Sequence, residues 1–175
     1  MGPHERQYWL MKCEPDAYTI DALERDGETS WEGVRNYKAR NYLREMRGGD
    51  GVLFYASNAD PSGVMGTAKV SREAYPDHHA FEQGHEYHDP KSREEKPVWF
   101  MVDVRFVERF PGVVSLETLK ATPALKSMIV VQPGRRPSVQ PVTRAEFETV
   151  VAMGRRRDKK RGWRGMEEDG GRRRG

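Results

Sequence analysis

Arg40, Arg44 and Arg47 recur at i, i+4 and i+7 between Ser30 and Asp50, so a helix there presents three guanidinium groups on one face. Together with the helix N-terminus such a row can hold phosphates; it can equally be a solvated face. Asn36 stands where that helix would begin and is a favoured capping residue, while Trp31 lies ahead of it. Trp99 falls in a strand pattern, Val98 to Phe106. Its period of two puts Val98, Phe100, Val102, Val104 and Phe106 on one face, and Trp99, Met101, Asp103 and Arg105 on the other. A large aromatic on the polar face of a strand either packs beneath a helix or lines a pocket. By the same period Tyr55 and Ser57 project away from Phe54 and offer hydroxyls. Lys12 and Glu14 also share a side, as a binding pair or as a structural ion pair.

Two rival chemistries are weaker. His78, His79, His85 and His88, with Asp77 and Asp89 nearby, carry metal-ligating groups, but their segment lacks the helical pair or thiolate partners of a zinc motif. No metal site and no cofactor are therefore assigned. Cys13 has no histidine at a spacing that would make it a nucleophile, and reads as a small core residue.

These groups need a frame to position them. At 175 residues the chain matches one domain. Apolar, β-rich runs occur at Tyr8 to Lys12, Gly51 to Ser57, Val64 to Val70, Val98 to Phe106 and Met128 to Gln132, which gives about five strands. Helical spacing occurs at Thr19 to Glu24, after Asn36, at Ser115 to Lys120 and at Thr143 to Met153. The helix after Asn36 buries Ala39, Tyr42, Leu43 and Met46, and the last opens on a Thr143/Glu146 capping box and stops at Gly154. Strands and helices mix without strict alternation, which indicates a small α+β domain with a curved sheet. Ala74 to Pro97 is polar and without period, a long connection of the kind that is usually functional.

Residues 155–175 hold ten Arg/Lys against four Asp/Glu, a charge of +6, so residues 1–154 carry −3 of the net +3. The basic balance belongs to this Arg/Gly-rich tail, expected to be disordered, and any claim of nucleic-acid binding by residues 1–154 must rest on a local site. No apolar run approaches the roughly 18 residues that span a bilayer, the start has no signal-peptide character, and a single cysteine forms no internal disulfide. An intracellular, cytoplasmic protein is expected, nuclear if its source is eukaryotic, without membrane contact.

Lys12-x-Glu-Pro15, Trp31-x-Gly-Val-Arg-Asn-Tyr-x-Ala-Arg-Asn41, Phe54-Tyr55-x-Ser57, Tyr87-x-Asp-Pro-Lys91, Trp99 and Ser138-Val-Gln-Pro-Val142 occur in this order. Together they resemble the EVE domain family of the PUA-like superfamily, which is related to the YTH domains that read N6-methyladenosine in RNA. The resemblance runs from about Tyr8 to Met153. It implies a PUA-like α+β fold, a curved, barrel-like mixed sheet of five or six strands flanked by helices. It also implies that the chain binds a modified, methylated or oxidised-methyl base in DNA or RNA, with Trp31 and Trp99 as two walls of an aromatic cage. Asn36, Tyr55, Ser57, Lys12, Glu14, Val34 and Arg35 complete the implied base pocket, and Arg40, Arg44, Arg47 and Lys38 the phosphate contacts. Ala56 stands where the family pattern often has His, and Pro137 precedes Ser138 where it tends to have Leu.

A base is read by extruding it, stacking it between flat side chains and hydrogen-bonding its edge. Stacking is nearly indifferent to sequence, so polar groups must discriminate. The reading is a non-enzymatic, monomeric binder. The alternative is a modified-nucleoside hydrolase like the related ASCH domains, with Lys12 as base supported by Glu14 or Tyr55. A third reading is a protein-interaction module whose pocket has lost its ligand.

Overall fold

The computed structural model describes residues 5–134 and 136–156. Six strands form one mixed sheet: β1 (Tyr8–Cys13), β2 (Glu28–Trp31), β3 (Gly51–Ala56), β4 (Gly63–Pro76), β5 (Phe100–Ser115) and β6 (Val139–Val142). Their order is β2-β5-β4-β3-β1-β6, with β1 and β3 parallel and every other neighbouring pair antiparallel. The sheet is not closed. Four helices accompany it: α1 (Ile20–Asp26), α2 (Tyr37–Glu45), α3 (Leu116–Lys120) and α4 (Arg144–Arg156).

β1 and β3 read as unbroken apolar runs because both faces of the sheet centre are covered. Trp9, Met11, Val52 and Phe54 point to one side, where Leu23 of α1 and Ala39 and Leu43 of α2 join them. Tyr8, Leu10, Leu53 and Tyr55 point to the other, against Phe110, Leu119 of α3 and Val150 of α4. β4 and β5 are 14 and 16 residues long, and their register shifts at four places. Extra residues of this kind bend a strand and increase its twist, which curves the sheet.

The helix boundaries follow from side-chain chemistry. Asn36 accepts a hydrogen bond from the Ala39 backbone N–H at 2.9 Å and so caps α2. Thr143 and Glu146 bond each other's backbone N–H at 2.9 and 3.0 Å, the capping box of α4. Asp50 is buried after α2 and receives N–H groups from Gln7, Trp9 and Arg47, which ties α2 to β1 and β3.

Some elements differ from expectation. Met128 to Gln132 is not a strand; Ile129–Val131 is a single 3-10 turn that packs against α3 and β6. A short apolar run has no pattern that separates a strand from a buried turn. β6 contains Pro141, which lacks a backbone N–H and is tolerated because β6 lies at the sheet edge. β2 is a four-residue edge strand whose sequence, Glu-Thr-Ser-Trp, has no apolar alternation. Gly154 does not stop α4, which continues to Arg156; a Cβ at Gly154 would stand 2.3 Å from the Phe110 ring, so this glycine lets the helix approach the sheet. Arg155 pairs with Glu108 at 2.8 Å. Residues 157–175 of the expected basic tail lie outside the described residues.

Candidate functional site

A cleft of about 1110 Å³ opens where the C-terminal end of β1, the end of β2 and the long β4–β5 connection meet. β1 contributes Lys12, Cys13 and the following Glu14. β2 and its connection to α2 contribute Thr29 through Arg35, the β4–β5 connection contributes Gly84 to Tyr87, and Ser138 closes the side next to β6. Lys12 is fixed by the backbone, since its N–H donates to the Ser138 carbonyl at 2.8 Å.

Asp77 organises the two walls. Its carboxylate is fully buried and accepts from Gly33 N–H at 2.8 Å, from Arg35 Nη1 at 3.1 Å and from His79 N–H at 3.0 Å. The buried charge is therefore paired and hydrogen-bonded, the condition under which burial is tolerated. Arg35 also donates Nε and Nη2 to the Tyr87 carbonyl, at 3.1 and 2.6 Å, and its guanidinium lies 5.3 Å from the Tyr87 ring centroid. Gly33 has φ +81°, and a Cβ there would lie 2.4 Å from the Tyr87 ring. Only glycine allows this approach. Tyr87 and Asp77 were not singled out as base-pocket residues from the sequence; the signal for Tyr87 was its own short motif, whereas Asp77 was noted only as a possible metal-ligating group beside the histidines.

Trp31 lines the cleft and meets Phe54 edge-on at 5.7 Å between ring centroids. Trp99 is not among the lining residues. It is 4% exposed, donates Nε1–H to Asp89 at 2.5 Å, and its ring covers Arg35 at 5.5 Å and Tyr37 at 4.9 Å. That hydrogen bond, foremost, holds the Asp89 carboxyl below the usual carboxylate range. Trp99 thus lies against Arg35 outside the cleft lining, and Tyr18 and Tyr87 join Trp31 as large rings on the cleft wall.

Lys12, Glu14, Val34 and Arg35 all line the cleft with Trp31. Lys12 and Glu14 do not pair among the described residues: Glu14 accepts from Asn58 Nδ2 at 2.8 Å, and the Lys12 ammonium lies 5.9 Å from the Tyr55 ring centroid. Burial lowers the Lys12 pKa. Asn36 is spent on capping α2. Tyr55 is buried in the core that α4 covers, where burial raises its pKa, and Ser57, whose N–H donates to the Cys13 carbonyl at 3.0 Å, is not among the lining residues. Burial, then the Glu14 charge, push the Cys13 thiol up to about 11, although a backbone hydrogen bond at Tyr18 opposes them.

Of the basic residues on α2, Lys38 and Arg44, with Arg47 just beyond the helix, are exposed, with Arg44 over the Phe100 ring at 4.6 Å. Arg40 is half-buried; it donates to the Val98 carbonyl at 2.9 Å and to Asn41 Oδ1.

An open, curved mixed sheet with helices on both faces and a cleft at the end of its parallel pair is a PUA-like α+β domain. Residues 7–153 match the EVE domain, and the chain belongs to that family. Mouse thymocyte nuclear protein 1 is 40% identical, covering 87% of this chain and 75% of the mouse protein. A Leishmania major protein of known structure superposes with a TM-score of 0.82 at 45% identity, covering 86% of this chain and 95% of its own. The crystal structure of human THYN1 protein in complex with DNA containing 5-methylcytosine superposes with a TM-score of 0.78 at 39% identity, covering 85% and 97%. The Mmi1 YTH domain, at 12% identity and a TM-score of 0.50, shares the fold alone. Among the described residues no helix is long and apolar enough to cross a membrane.

Proposed function

We propose that this chain is a non-enzymatic reader of a modified nucleobase, with 5-methylcytosine in DNA as its ligand. The observation that carries the reading is the human family member, 39% identical across 85% of this chain, whose structure holds DNA containing 5-methylcytosine. The cleft supports it chemically. Trp31 and Tyr87 supply flat walls, Trp99 buttresses Arg35 from behind, and Lys12 and Glu14 offer a donor and an acceptor toward a base edge. Lys38, Arg44 and Arg47, with Arg40 beside them, meet the phosphates. The thymocyte nuclear protein relatives favour a nuclear setting if the source is eukaryotic.

Burying one methyl group contributes about 0.8 kcal/mol, so the methyl alone gives roughly four-fold preference over cytosine. The test is a fluorescence titration with matched DNA and RNA oligonucleotides, with and without 5-methylcytosine. Wild type should prefer the methylated DNA. Trp31→Ala should lose the stacking contribution of about 1 to 3 kcal/mol, a fall of roughly 5- to 150-fold in affinity, together with the preference. Full discrimination by Trp31→Ala overturns the assignment of the base to this cleft. Preference for RNA carrying the same base moves the ligand from DNA to RNA.

A further inference from the structure

The connection that closes the cleft carries a second constellation. His78 and His79 open a 3-10 turn, His78–Phe81, with their ring centroids 4.2 Å apart. Glu82 follows the turn and directs its carboxylate back onto both rings, 3.3 Å from His79 Nδ1 and 3.9 Å from His78 Nε2. One ligand atom from each of the three residues lies within 4.8 Å of the others. We propose that His78, His79 and Glu82 bind a divalent transition-metal ion of the zinc class.

The distances suit such an ion. Bonds of about 2.0 to 2.2 Å place the ligand atoms of a tetrahedral zinc site roughly 3.3 to 3.5 Å apart. His79 and Glu82 already meet that separation. The side chains of His78 and Glu82 are 59% and 45% exposed, so they are free to close the remaining gap and leave a coordination position for water.

The second nitrogen of His79 has the partner that such a site uses. Nε2 lies 3.0 Å from Glu32 Oε1, so its N–H donates to that carboxylate. In the neutral ring this makes Nδ1 an acceptor, and Nδ1 faces the Glu82 carboxylate, which is also an acceptor. The 3.3 Å between Nδ1 and Glu82 is bridged either by the ring's own second proton or by a metal ion that displaces that proton. A carboxylate that orients a histidine through its far nitrogen is the usual outer partner of a zinc-bound imidazole. The turn is also held in place beforehand, because the buried Asp77 binds His79 N–H on one side and Gly33 N–H and Arg35 on the other. Imidazole and carboxylate donors suit zinc, nickel or cobalt, whereas magnesium and calcium need six or more oxygens. Glu32 follows Trp31 and lines the cleft, so the ion would tie the β4–β5 connection to the wall that holds Trp31.

Isothermal titration of the intact protein with zinc chloride should show one tight, saturable site, and magnesium chloride should show none. His78→Ala and His79→Ala should abolish it, and Glu32→Gln, which leaves all three ligands in place, should weaken it by about 10- to 100-fold. Thermal melts of the metal-free variants verify that each is folded; Glu82→Gln, nearly isosteric, provides a ligand loss with least risk to folding. The absence of saturable zinc binding, equal binding of magnesium, undiminished binding by His78→Ala, or unchanged affinity in Glu32→Gln each overturns the site.

Discussion

Cys13 lines the cleft beside Lys12, and its thiol decides between binding and nucleophilic catalysis. Only the thiolate attacks, and burial together with Glu14 lifts its pKa to about 11. At neutral pH fewer than about one thiol in a thousand is ionised, compared with a few per cent for a free cysteine. Alkylation by iodoacetamide should therefore be slow at pH 7.5 and rise with pH toward a midpoint near 11 rather than near 8.5. A midpoint below 8 would reveal an activated nucleophile at Cys13. Lys12 and Glu14 show how a period-two argument succeeds and falls short: both reach the cleft as their shared side implies, but Glu14 bonds Asn58 and forms no ion pair with Lys12. Tyr55 fails for a related reason. A hydroxyl opposite Phe54 was taken to face a ligand, and α4 covers that face with a second core.

The connection from β2 to α2 concentrates the site because three constraints meet in it. Gly33 supplies a positive φ and room for Tyr87, Arg35 bridges Asp77 and the Tyr87 carbonyl, and Asn36 starts α2. Gly33→Ala should destabilise the protein by about 1 to 3 kcal/mol through backbone strain alone, with the clash against Tyr87 in addition. Urea unfolding should show a lower midpoint with an unchanged slope. Tyr87→Ala introduced into Gly33→Ala should recover only the steric part, because the backbone strain remains. Equal stability of Gly33→Ala and wild type would show that neither the backbone strain nor the clash with Tyr87 is present. The same connection explains why this element was readable: its residues form one contiguous motif, so the spacing that matters is local.

Charge separates at the scale of the whole molecule. The first 154 residues are net negative, yet Lys38, Arg44 and Arg47 are exposed on or beside α2, while the tail carries the excess positive charge. Arg155 belongs to the folded part through its pair with Glu108, so truncation should follow Arg156 and not Gly154. Removing residues 157–175 should weaken binding to methylated and unmethylated oligonucleotides alike and flatten the dependence of affinity on salt. Each lost phosphate contact reduces the slope of log K against log salt by about 0.9 for duplex DNA. A loss confined to methylated DNA would instead place the tail in base recognition.

The sequence by itself determined the family, the α+β class, the central strands β1 and β3 and the capped starts of α2 and α4, and the family resemblance named Trp31, Val34, Arg35, Lys12 and Glu14, which the structure places along one cleft. These depend on local pattern, either a period, a cap or a contiguous motif. Tertiary structure decided what depends on distant partners. It turned Met128–Gln132 into a 3-10 turn, made edge strands of β2 and β6, and moved Trp99 behind Arg35. It also brought Asp77 under Gly33 and set Glu32 against His79, across 44 and 47 positions of chain. No period or spacing encodes such a pairing, because hydrogen bonds between remote residues are fixed only when the sheet has curved and the long connection has folded back onto it.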